Sequence, residues 1–414
     1  MLLRARLLLP IARPPIEDAA VIISGERIRW TGKRRDLPPG FHGEEHDLGD
    51  VILMPGLVNA HCHLDYTNMS GQIAPPKRFT DWIQAIVALK GTWGLEDYAA
   101  SWRHGAEMLV RSGVTTVADI EAVPELLPEA WNATPLRVIS FRELIHLRQR
   151  PTTEEIVEQA MNHCLGLPGS EGRVGFSPHA PYTTTPELLE QAARAAQRRG
   201  WRLATHVAES EEEFEMFMYG QGPMFDWLKN QRDMSDTGRG SPVEHLERCG
   251  YLDNTLIAIH CNHLGRHDAT LLGSRGVSVV HCPRSHDFFR HLKFPRSELQ
   301  ATGVNLCLGT DSLASVRKSS TKLPRLDLFA EMQILAAQEA GLEPEMILRM
   351  ATVNGAQALG RAGELGEIST GALADLIAVP FAGASSDAAV AALHHPGDVA
   401  ASLIGGQWAM APNA

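Results

Sequence analysis

The sequence predicts an α/β fold: a (β/α)8 barrel of the TIM type, with a small β-sandwich domain built from both ends of the chain. Two observations lead to this prediction. In the middle of the 414 residues, short apolar runs rich in β-branched residues alternate eight times with longer amphipathic stretches, which is the pattern of parallel strands and crossover helices. Both ends consist instead of short strand-like runs and turns, without a long amphipathic helix. A doubly wound open sheet is the alternative, because periodicity does not show that a sheet closes.

Eight runs are predicted as the barrel strands, with helices between them. The first strand ends at His61, and the others span Gly113–Ile120, Arg137–Phe141, Arg173–Ser177, Arg202–Val207, Thr255–His260, Val277–His281 and Val304–Leu308. Thr185–Arg199 has clear helix signals: a Thr cap, a Pro at the first helical position and Gly200 as the stop. Leu326–Ala340 and Pro344–Leu359 are predicted as helices from their period.

The two ends of the chain are predicted to form one small domain. The predicted boundaries are 1–52 for its N-terminal part, 53–365 for the barrel and 366–414 for its C-terminal part. Val21–Trp30 (VIISGERIRW) has the alternation of a strand, and Leu373–Pro380 (LADLIAVP) and Val399–Ile404 (VAASLI) are short apolar runs between turns. We therefore expect the ends to pair beside the barrel.

Composition and charge indicate an ordinary globular protein and argue against some partners. Hydrophobic residues make up 44% and charged residues 21%, as in typical globular domains. The formal net charge of -11 disfavours nucleic acid, because phosphate binding needs a positive surface. The sequence has no stretch of about 20 apolar residues, so no membrane span is expected. Six scattered cysteines without a CxxC pair indicate free thiols and a cytoplasmic location. A homodimer is the default expectation for assembly.

Side chains that bind metals stand where predicted strands end. His61 and His63 end the first strand, and two residues apart they point to the same side of an extended chain. The fifth strand ends at His206, the sixth ends at His260, and the eighth runs into Asp311. A barrel gathers the carboxyl ends of its strands at one mouth. The sequence therefore predicts that these five side chains meet.

Imidazole and carboxylate are the usual ligands of a borderline divalent metal, and three or four of them with a water make a catalytic site. A proton carrier is also needed, and Glu209, three residues after His206, could face the same mouth. A lone histidine is usually structural. The series HxH, His, Glu, His and Asp at successive strand ends instead indicates a metal-dependent hydrolytic site.

The sequence around these residues resembles the amidohydrolase superfamily, in the branch of mononuclear deaminases and chlorohydrolase-like enzymes. The resemblance covers nearly the whole chain and rests on PGLVNAHCHLD (Pro55–Asp65), SPHAPYT (Ser177–Thr183), THVAES (Thr205–Ser210), IHCNHL (Ile259–Leu264), VVHCPRSH (Val279–His286), LGTDS (Leu308–Ser312) and GALADLIAV (Gly371–Val379). It implies a hydrolase that removes an exocyclic amine from a heterocyclic small molecule.

The resemblance also implies the roles of the matching residues. The implied metal ligands are His61, His63, His206 and Asp311. Glu209 would carry protons between water and the substrate ring, His260 would orient the attacking water, and Asp311 would also accept a proton from that water. His179, in SPHAPYT, matches a substrate-contacting position in nucleoside deaminases of this branch.

A single metal ion is expected. Binuclear members of the superfamily bridge two ions with a Lys or a Glu at the end of the fourth strand, and GFSPHAPYT here has neither residue. Zinc is the expected ion, with iron(II) as the alternative, because sites of nitrogen and oxygen ligands accept both.

The expected substrate is an adenine nucleoside derivative. Deaminases with similar SPHAPYT text act on S-adenosylhomocysteine, methylthioadenosine or aminodeoxyfutalosine. The text LDYTNMSGQIAPPKRFTDWI after HCH, with Phe79 and Trp82, is more similar to that of aminodeoxyfutalosine deaminases, so that substrate is favoured. Arg142 after the third strand and Arg284 after the seventh are candidates to contact ribose hydroxyls or a carboxylate. For both arginines a structural ion pair is the alternative.

Two other functions fit parts of the sequence. A chlorohydrolase acting on triazines, or a cyclic amide hydrolase, would use the same site residues. A metal-free, non-catalytic scaffold would keep only the fold, but such a scaffold has no use for Glu209 beside an intact ligand set.

Overall fold

The computed structural model of the chain describes residues 1–147, 150–318 and 323–412. The strands of these residues form two separate sheets. In chain order they are β1 (Leu2–Leu8), β2 (Ile16–Ser24), β3 (Arg27–Lys33), β4 (Glu45–Asp47), β5 (Val51–Pro55), β6 (Leu57–Cys62), β7 (Val114–Glu121), β8 (Arg137–Leu144), β9 (Val174–Pro178), β10 (Leu203–Val207), β11 (Leu256–His260), β12 (Ser278–His281), β13 (Asn305–Leu308), β14 (Leu376–Pro380), β15 (Ala401–Ile404) and β16 (Gln407–Met410).

The strands β6 to β13 form the barrel. They pair in chain order and every pair is parallel. Side chains alternate between the two faces of each strand, so Ala118 and Ile120 of β7 and Ile139 and Phe141 of β8 fill the interior. Each run predicted as a barrel strand overlaps one of these strands.

The barrel is closed by contacts between its first and last strands. The backbone N–H groups of Thr310 and Asp311 both donate to the carbonyl of His61, at 3.0 and 3.2 Å. A parallel bridge also joins Cys62 to Asp311. These contacts confirm the predicted (β/α)8 barrel and exclude the open sheet.

Helices follow most of the barrel strands. In the described residues they are α1 (Phe79–Lys90), α2 (Leu95–Arg111), α3 (Glu129–Asn132), α4 (Thr153–Gly166), α5 (Pro186–Arg199), α6 (Glu211–Tyr219), α7 (Pro223–Leu228), α8 (Pro242–Arg248), α9 (Asp268–Ser274), α10 (Pro283–Phe289), α11 (Arg296–Ala301), α12 (Leu328–Gln338), α13 (Pro344–Met350), α14 (Val353–Ala358) and α15 (Ala388–Leu393). The caps predicted for α5 are present: Thr185 Oγ1 accepts from the N–H of Leu188, and Gly200 ends the helix in the left-handed conformation. No helix of the described residues combines the length and apolar character that crossing a bilayer requires.

Both ends of the chain build the second sheet, as predicted. Strand β5 pairs in parallel with β1 and antiparallel with β14, so the two ends meet at this strand. The chain passes from this sheet into the barrel at Gly56. A Cβ atom at residue 56 would lie 2.1 Å from Thr115 Oγ1, so only glycine allows β6 to start so close to β7.

Two predicted elements are wrong in detail. Val21–Trp30 is not one strand but the two halves of a hairpin, because the chain turns at Gly25 with φ +59°. Pro344–Leu359 is two helices, α13 and α14. The helix breaks because the carbonyl of Ala351 accepts a hydrogen bond from Val58 of the first barrel strand, at 2.8 Å. The second helix then places Ala356 and Ala358 against the barrel interior.

A separate apolar cluster covers part of the barrel mouth. It combines Phe79 and Ile83 of α1 with Ala180 and Tyr182 after β9 and with Met216 and Phe217 of α6. Glu212 of α6 links two of these elements, because its carboxylate accepts the N–H groups of Phe79 and Thr80 at 3.0 and 2.9 Å. This carboxylate stabilises the positive N-terminal end of α1.

Candidate active site

Three buried imidazoles converge at the barrel mouth. His61 and His63 come from the end of β6 and His206 from β10, and one ring nitrogen of each lies within 4.8 Å of the others. His63 Nε2 and His206 Nε2 lie 3.2 Å apart. His63 and His206 are each 5% exposed and His61 is fully buried. Two distant segments of the chain therefore direct three nitrogen lone pairs at one point.

This donor set fits a divalent metal ion. Two imidazole nitrogens bound to one tetrahedral zinc ion, each at roughly 2.0–2.1 Å, lie about 3.3 Å apart, close to the His63–His206 separation. Within the described part of the chain, neither ring nitrogen of His61 has a hydrogen-bond partner. A buried acceptor nitrogen without a partner costs about 1–3 kcal/mol, and a cation that binds its lone pair would remove that cost. His206 Nδ1 contacts the carbonyl of His179 at 2.8 Å, which leaves Nε2 free for the ion.

Asp311 brings a carboxylate to the imidazoles. Its Oδ1 lies 3.6 Å from His61 Nε2 and 3.9 Å from His63 Nε2, and Ser315 Oγ donates to its Oδ2 at 2.9 Å. Burial would raise the pKa of Asp311, but the neighbouring imidazole of His61, with His260 and His63, holds that pKa well below its usual value. Asp311 is therefore ionised beside the three histidines, as a metal ligand must be.

Glu209 is buried beside His260. Its Oε1 lies 3.4 Å from His260 Nε2, and residues 209 and 260 are 6% and 3% exposed. Burial, with the charges of Asp311 and Glu213, raises the pKa of Glu209 well above its usual value. A carboxyl group in this environment can hold a proton near neutral pH and pass it on, which is the property of a general acid and base.

The backbone is strained at the strand ends that carry these groups. Ala208, His260, Cys261 and Asp311 all have positive φ angles, of 52°, 77°, 50° and 51°. Residues other than glycine adopt this conformation rarely, at a cost of order 1–3 kcal/mol each. Such strain is typical of active sites.

Asn59 and Gly309 hold the first and last strands together at the site. The Asn59 side chain donates to Thr310 Oγ1 at 2.7 Å and accepts from the N–H of Thr310 at 3.0 Å, one residue before Asp311. A Cβ atom at position 309 would lie 2.8 Å from the carbonyl oxygen of His61. Asn59 was not predicted from the sequence, because its hydrogen bonds to Thr310, 251 residues away, leave no local signal. Ser315 was not predicted either.

The close approach at Gly309 gives a prediction. We expect Gly309→Ala to destabilise the protein by about 1–3 kcal/mol and to lower its metal content, because the new methyl group pushes β13 away from His61. Gly166→Ala is the matched control, since a Cβ there meets nothing within 4 Å. Thermal denaturation with and without added zinc checks both variants. An unchanged melting temperature and metal content for Gly309→Ala would contradict the prediction.

The three residues predicted to contact substrate are placed differently from one another. His179 is at the site: its ring centroid lies 4.9 Å from that of His206, and its Nδ1 contacts Thr183 Oγ1 at 2.7 Å. Arg284 is 9% exposed and binds the carbonyl of Arg325 at 2.8 Å, with Glu331 at 3.6 Å. These are contacts of a structural ion pair, which was the alternative for this residue.

Arg142 also lies away from the expected position. Strand β8 continues to Leu144, beyond the predicted end, so side-chain alternation decides where residues 142 and 143 point. Phe141 faces the barrel interior while Val138 and Leu144 face the outer helices. Arg142 shares the outer side, where its Nη1 lies 3.4 Å from the carbonyl of Glu121. Glu143, and not Arg142, is on the side of the strand that faces the mouth.

Comparisons with known proteins show which family and fold the chain shares. Residues 52–409 match the amidohydrolase family. The chain is 35% identical over 383 residues to a 5-methylthioadenosine/S-adenosylhomocysteine deaminase of Syntrophobacter fumaroxidans, with 88% of this chain and 80% of the relative covered. An adenosine deaminase of Xanthomonas campestris with bound zinc has a similar structure, with a TM-score of 0.81, 25% identity, and 98% and 92% of the chains covered. Aminofutalosine deaminase of Helicobacter pylori has the same fold, with a TM-score of 0.86, 20% identity, and 98% and 99% covered.

The family match spans most of the chain, and it includes the strands that bring the three imidazoles and Asp311 together. The resemblance drawn from the motifs is confirmed. The chain therefore belongs to the amidohydrolase family and is a metal-dependent hydrolytic deaminase.

Proposed function

We propose that this protein removes the 6-amino group of an adenine nucleoside by hydrolysis, with a single zinc ion held by His61, His63, His206 and Asp311. The observation that carries the proposal is a buried carboxyl group of raised pKa, Glu209, set against the imidazole cluster through His260 at 3.4 Å. A metal ion in this cluster would activate a water molecule for attack at neutral pH.

The protein groups supply the proton transfers that this hydrolysis needs. Water adds to the ring carbon that bears the amino group, and Glu209 delivers a proton to the adjacent ring nitrogen, which makes that carbon more electrophilic. Asp311, ionised beside His61, takes a proton from the water, and His260 orients the water. The carbon–nitrogen bond then breaks: Asp311 passes its proton to the amino group, which leaves as ammonia, and Glu209 takes the proton of the new hydroxyl group as the ring carbonyl forms. Unrelated base deaminases divide the work between metal and glutamate in the same way.

Zinc is the ion that the donor set favours. Zinc binds imidazole nitrogen and carboxylate oxygen, and the 3.2 Å contact between His63 Nε2 and His206 Nε2 shows that two of these donors are close enough to share one ion. The similar adenosine deaminase of Xanthomonas campestris has bound zinc, which supports the same choice here. Iron(II) is the alternative that metal analysis would detect.

The nucleoside is proposed to carry a modified 5′ position. The relative that shares 35% identity acts on 5-methylthioadenosine and S-adenosylhomocysteine, which supports nucleosides of this class. Within the class, the text between His63 and Trp82 favours aminodeoxyfutalosine. Three aromatic side chains near the mouth suit an apolar substituent on the nucleoside. The ring centroids of Phe79, Trp82 and Phe289 lie 5.1–6.0 Å apart.

An ammonia-release assay tests the proposal. The substrates are aminodeoxyfutalosine, S-adenosylhomocysteine, methylthioadenosine, adenosine, a chlorinated triazine and a cyclic amide. We expect ammonia from the adenine nucleosides, with the largest kcat/KM for a 5′-modified one, and no turnover of the triazine or the amide. Protein treated with a chelator and then reloaded with zinc or iron serves as the control for metal dependence. Absence of ammonia from every adenine compound would overturn the proposed function.

A further inference from the structure

The backbone of Glu209 is held on both sides of its α-carbon. Its N–H donates to Glu213 Oε2 at 2.9 Å, and its carbonyl accepts from Asn262 Nδ2 at 3.0 Å. Asn262 Oδ1 in turn contacts His286 Nδ1 at 3.1 Å. Asn262 is 6% exposed, His286 is 7% exposed and Glu213 is fully buried. We call this set of three residues, Glu213, Asn262 and His286, the Glu209 clamp.

The clamp follows a left-handed turn in the backbone. Strand β10 ends at Val207, and Ala208 then adopts the left-handed conformation with φ 52°. The segment after β11 follows this turn: the N–H of His263 donates to the carbonyl of Ala208 at 2.9 Å. The next contact between these two segments is made by the Asn262 side chain, which donates to the carbonyl of Glu209. The direction in which the Glu209 carboxyl group points therefore depends on Asn262.

The two partners of the Asn262 side chain determine which of its amide atoms faces each of them, and so which partner donates. The carbonyl of Glu209 can only accept, so the amide NH₂ of Asn262 must face it, and the amide oxygen must face His286. His286 must then donate from Nδ1. Burial lowers the pKa of His286, an effect opposed by the backbone of Leu292, so the ring is neutral at pH 7 and carries a single N–H. The clamp requires that this proton is on Nδ1.

A second group of histidines holds the His286 ring in place. The centroid of the His281 ring lies 5.2 Å from that of His286, and the centroid of the His291 ring lies 5.4 Å from it. His291 Nδ1 contacts His263 Nε2 at 3.2 Å, and His281 is stacked on Phe294 at 3.9 Å. None of the residues His263, His281, His286 and His291 belongs to the cluster that fits a metal ion. Their packing restricts the rotation of His286 and so keeps its Nδ1 directed at Asn262.

We propose that Asn262 and His286 are positioning residues for proton transfer, which act by holding the backbone carbonyl group of Glu209. The proposal rests on the proton-carrying role proposed for Glu209. A group held within about 0.5 Å of its productive position transfers a proton efficiently, and loss of one supporting contact around such a site costs about 10- to 100-fold in activity.

Kinetics of Asn262→Ala test the proposal. We expect kcat to fall about 10- to 100-fold, with KM and metal content unchanged, because substrate and metal contacts stay in place. Asn305→Ala is the matched control: Asn305 also bonds a backbone carbonyl, that of Asn354 at 3.0 Å, but at the start of β13, the end opposite the mouth. A wild-type kcat in Asn262→Ala, or a loss of metal that accounts for its lower rate, would overturn the proposal.

Substitution of His286 separates the hydrogen bond from packing. His286→Asn keeps a donor near the position of Nδ1, whereas His286→Leu removes it. We expect the first variant to retain most of the wild-type kcat and the second to match Asn262→Ala. Equal activity of the two variants would contradict a role for the donor.

The protonation of His286 gives a readout that does not require turnover. Nitrogen-15 NMR of the wild-type protein with labelled histidine should assign the proton of His286 to Nδ1, and Asn262→Ala should change that signal. A proton on Nε2 in the wild type would overturn the clamp. If instead Glu209→Gln kept full activity, the proposed role of Glu209 would fail, and the NMR result would still decide the geometry. The two failures are therefore distinguishable.

Discussion

Replacing Glu209 with glutamine is expected to lower kcat by about 10²- to 10⁴-fold, the usual contribution of a general acid and base. Glutamine has the same shape and keeps the backbone contacts with Glu213 and Asn262, but it cannot carry a proton. The metal ligands are not touched by the change. We therefore expect a folded protein with unchanged metal content that binds substrate and does not turn it over.

Three measurements check this result. Steady-state kinetics gives kcat, elemental analysis gives the metal content, and titration with a nucleoside gives the dissociation constant of the inactive variant. Glu211→Gln is the matched control, because Glu211 is two residues away and exposed, and we expect its kcat to equal that of the wild type. If Glu209→Gln retained wild-type turnover, Glu209 would not be the proton carrier.

The second large effect is expected for Asp311→Asn. The low pKa of Asp311 shows that its negative charge interacts favourably with the imidazoles around it, and asparagine removes that charge. We expect a lower metal content in the purified protein. We also expect kcat to remain reduced by at least about 10²-fold after zinc is added back, because asparagine cannot accept the proton of the attacking water.

Metal analysis before and after dialysis against zinc checks the Asp311 prediction, followed by kinetics of the reloaded protein. Asp375→Asn is the control, since Asp375 is also a buried carboxylate but pairs with Arg137 at 3.2 Å, near the second sheet. That variant should be less stable but should bind metal normally. Full recovery of kcat in zinc-loaded Asp311→Asn would refute a role for this residue in proton transfer.

The sequence was sufficient to predict the barrel and the residues that meet at its mouth. The reason is geometric: parallel strands end on one side of a barrel, so a histidine at each strand end is enough to place His61, His63 and His206 together. Asp311 follows by the same reasoning, because it stands just past the last strand. These predictions required only the positions at which the strands end, and apolar runs in the sequence locate those positions well.

Residues whose side-chain orientation depends on where a strand ends were predicted less well. Arg142 was expected at the mouth because strand β8 was predicted to end at Phe141, but it ends at Leu144. With three more residues in the strand, alternation turns Arg142 outward and Glu143 inward. Arg284 is similar, since its partner Glu331 lies 47 residues away and no local pattern reveals the pair. Asn59 and Asn262 were missed for the same reason.

Closure of the barrel at Cys62 and Asp311 has a consequence for how the protein acquires its metal. Two of the proposed ligands are at the end of the first barrel strand, and another, Asp311, follows the last strand, 250 residues after His61. A nascent chain that lacks its last strand cannot assemble the full ligand set, so tight binding of the cation must come late in folding. Once bound, the cation links the first and last strands, and it opposes opening of the barrel at this seam by the free energy of its binding. Removal of the metal with a chelator should therefore make the seam between β6 and β13 the first region to exchange its amide protons.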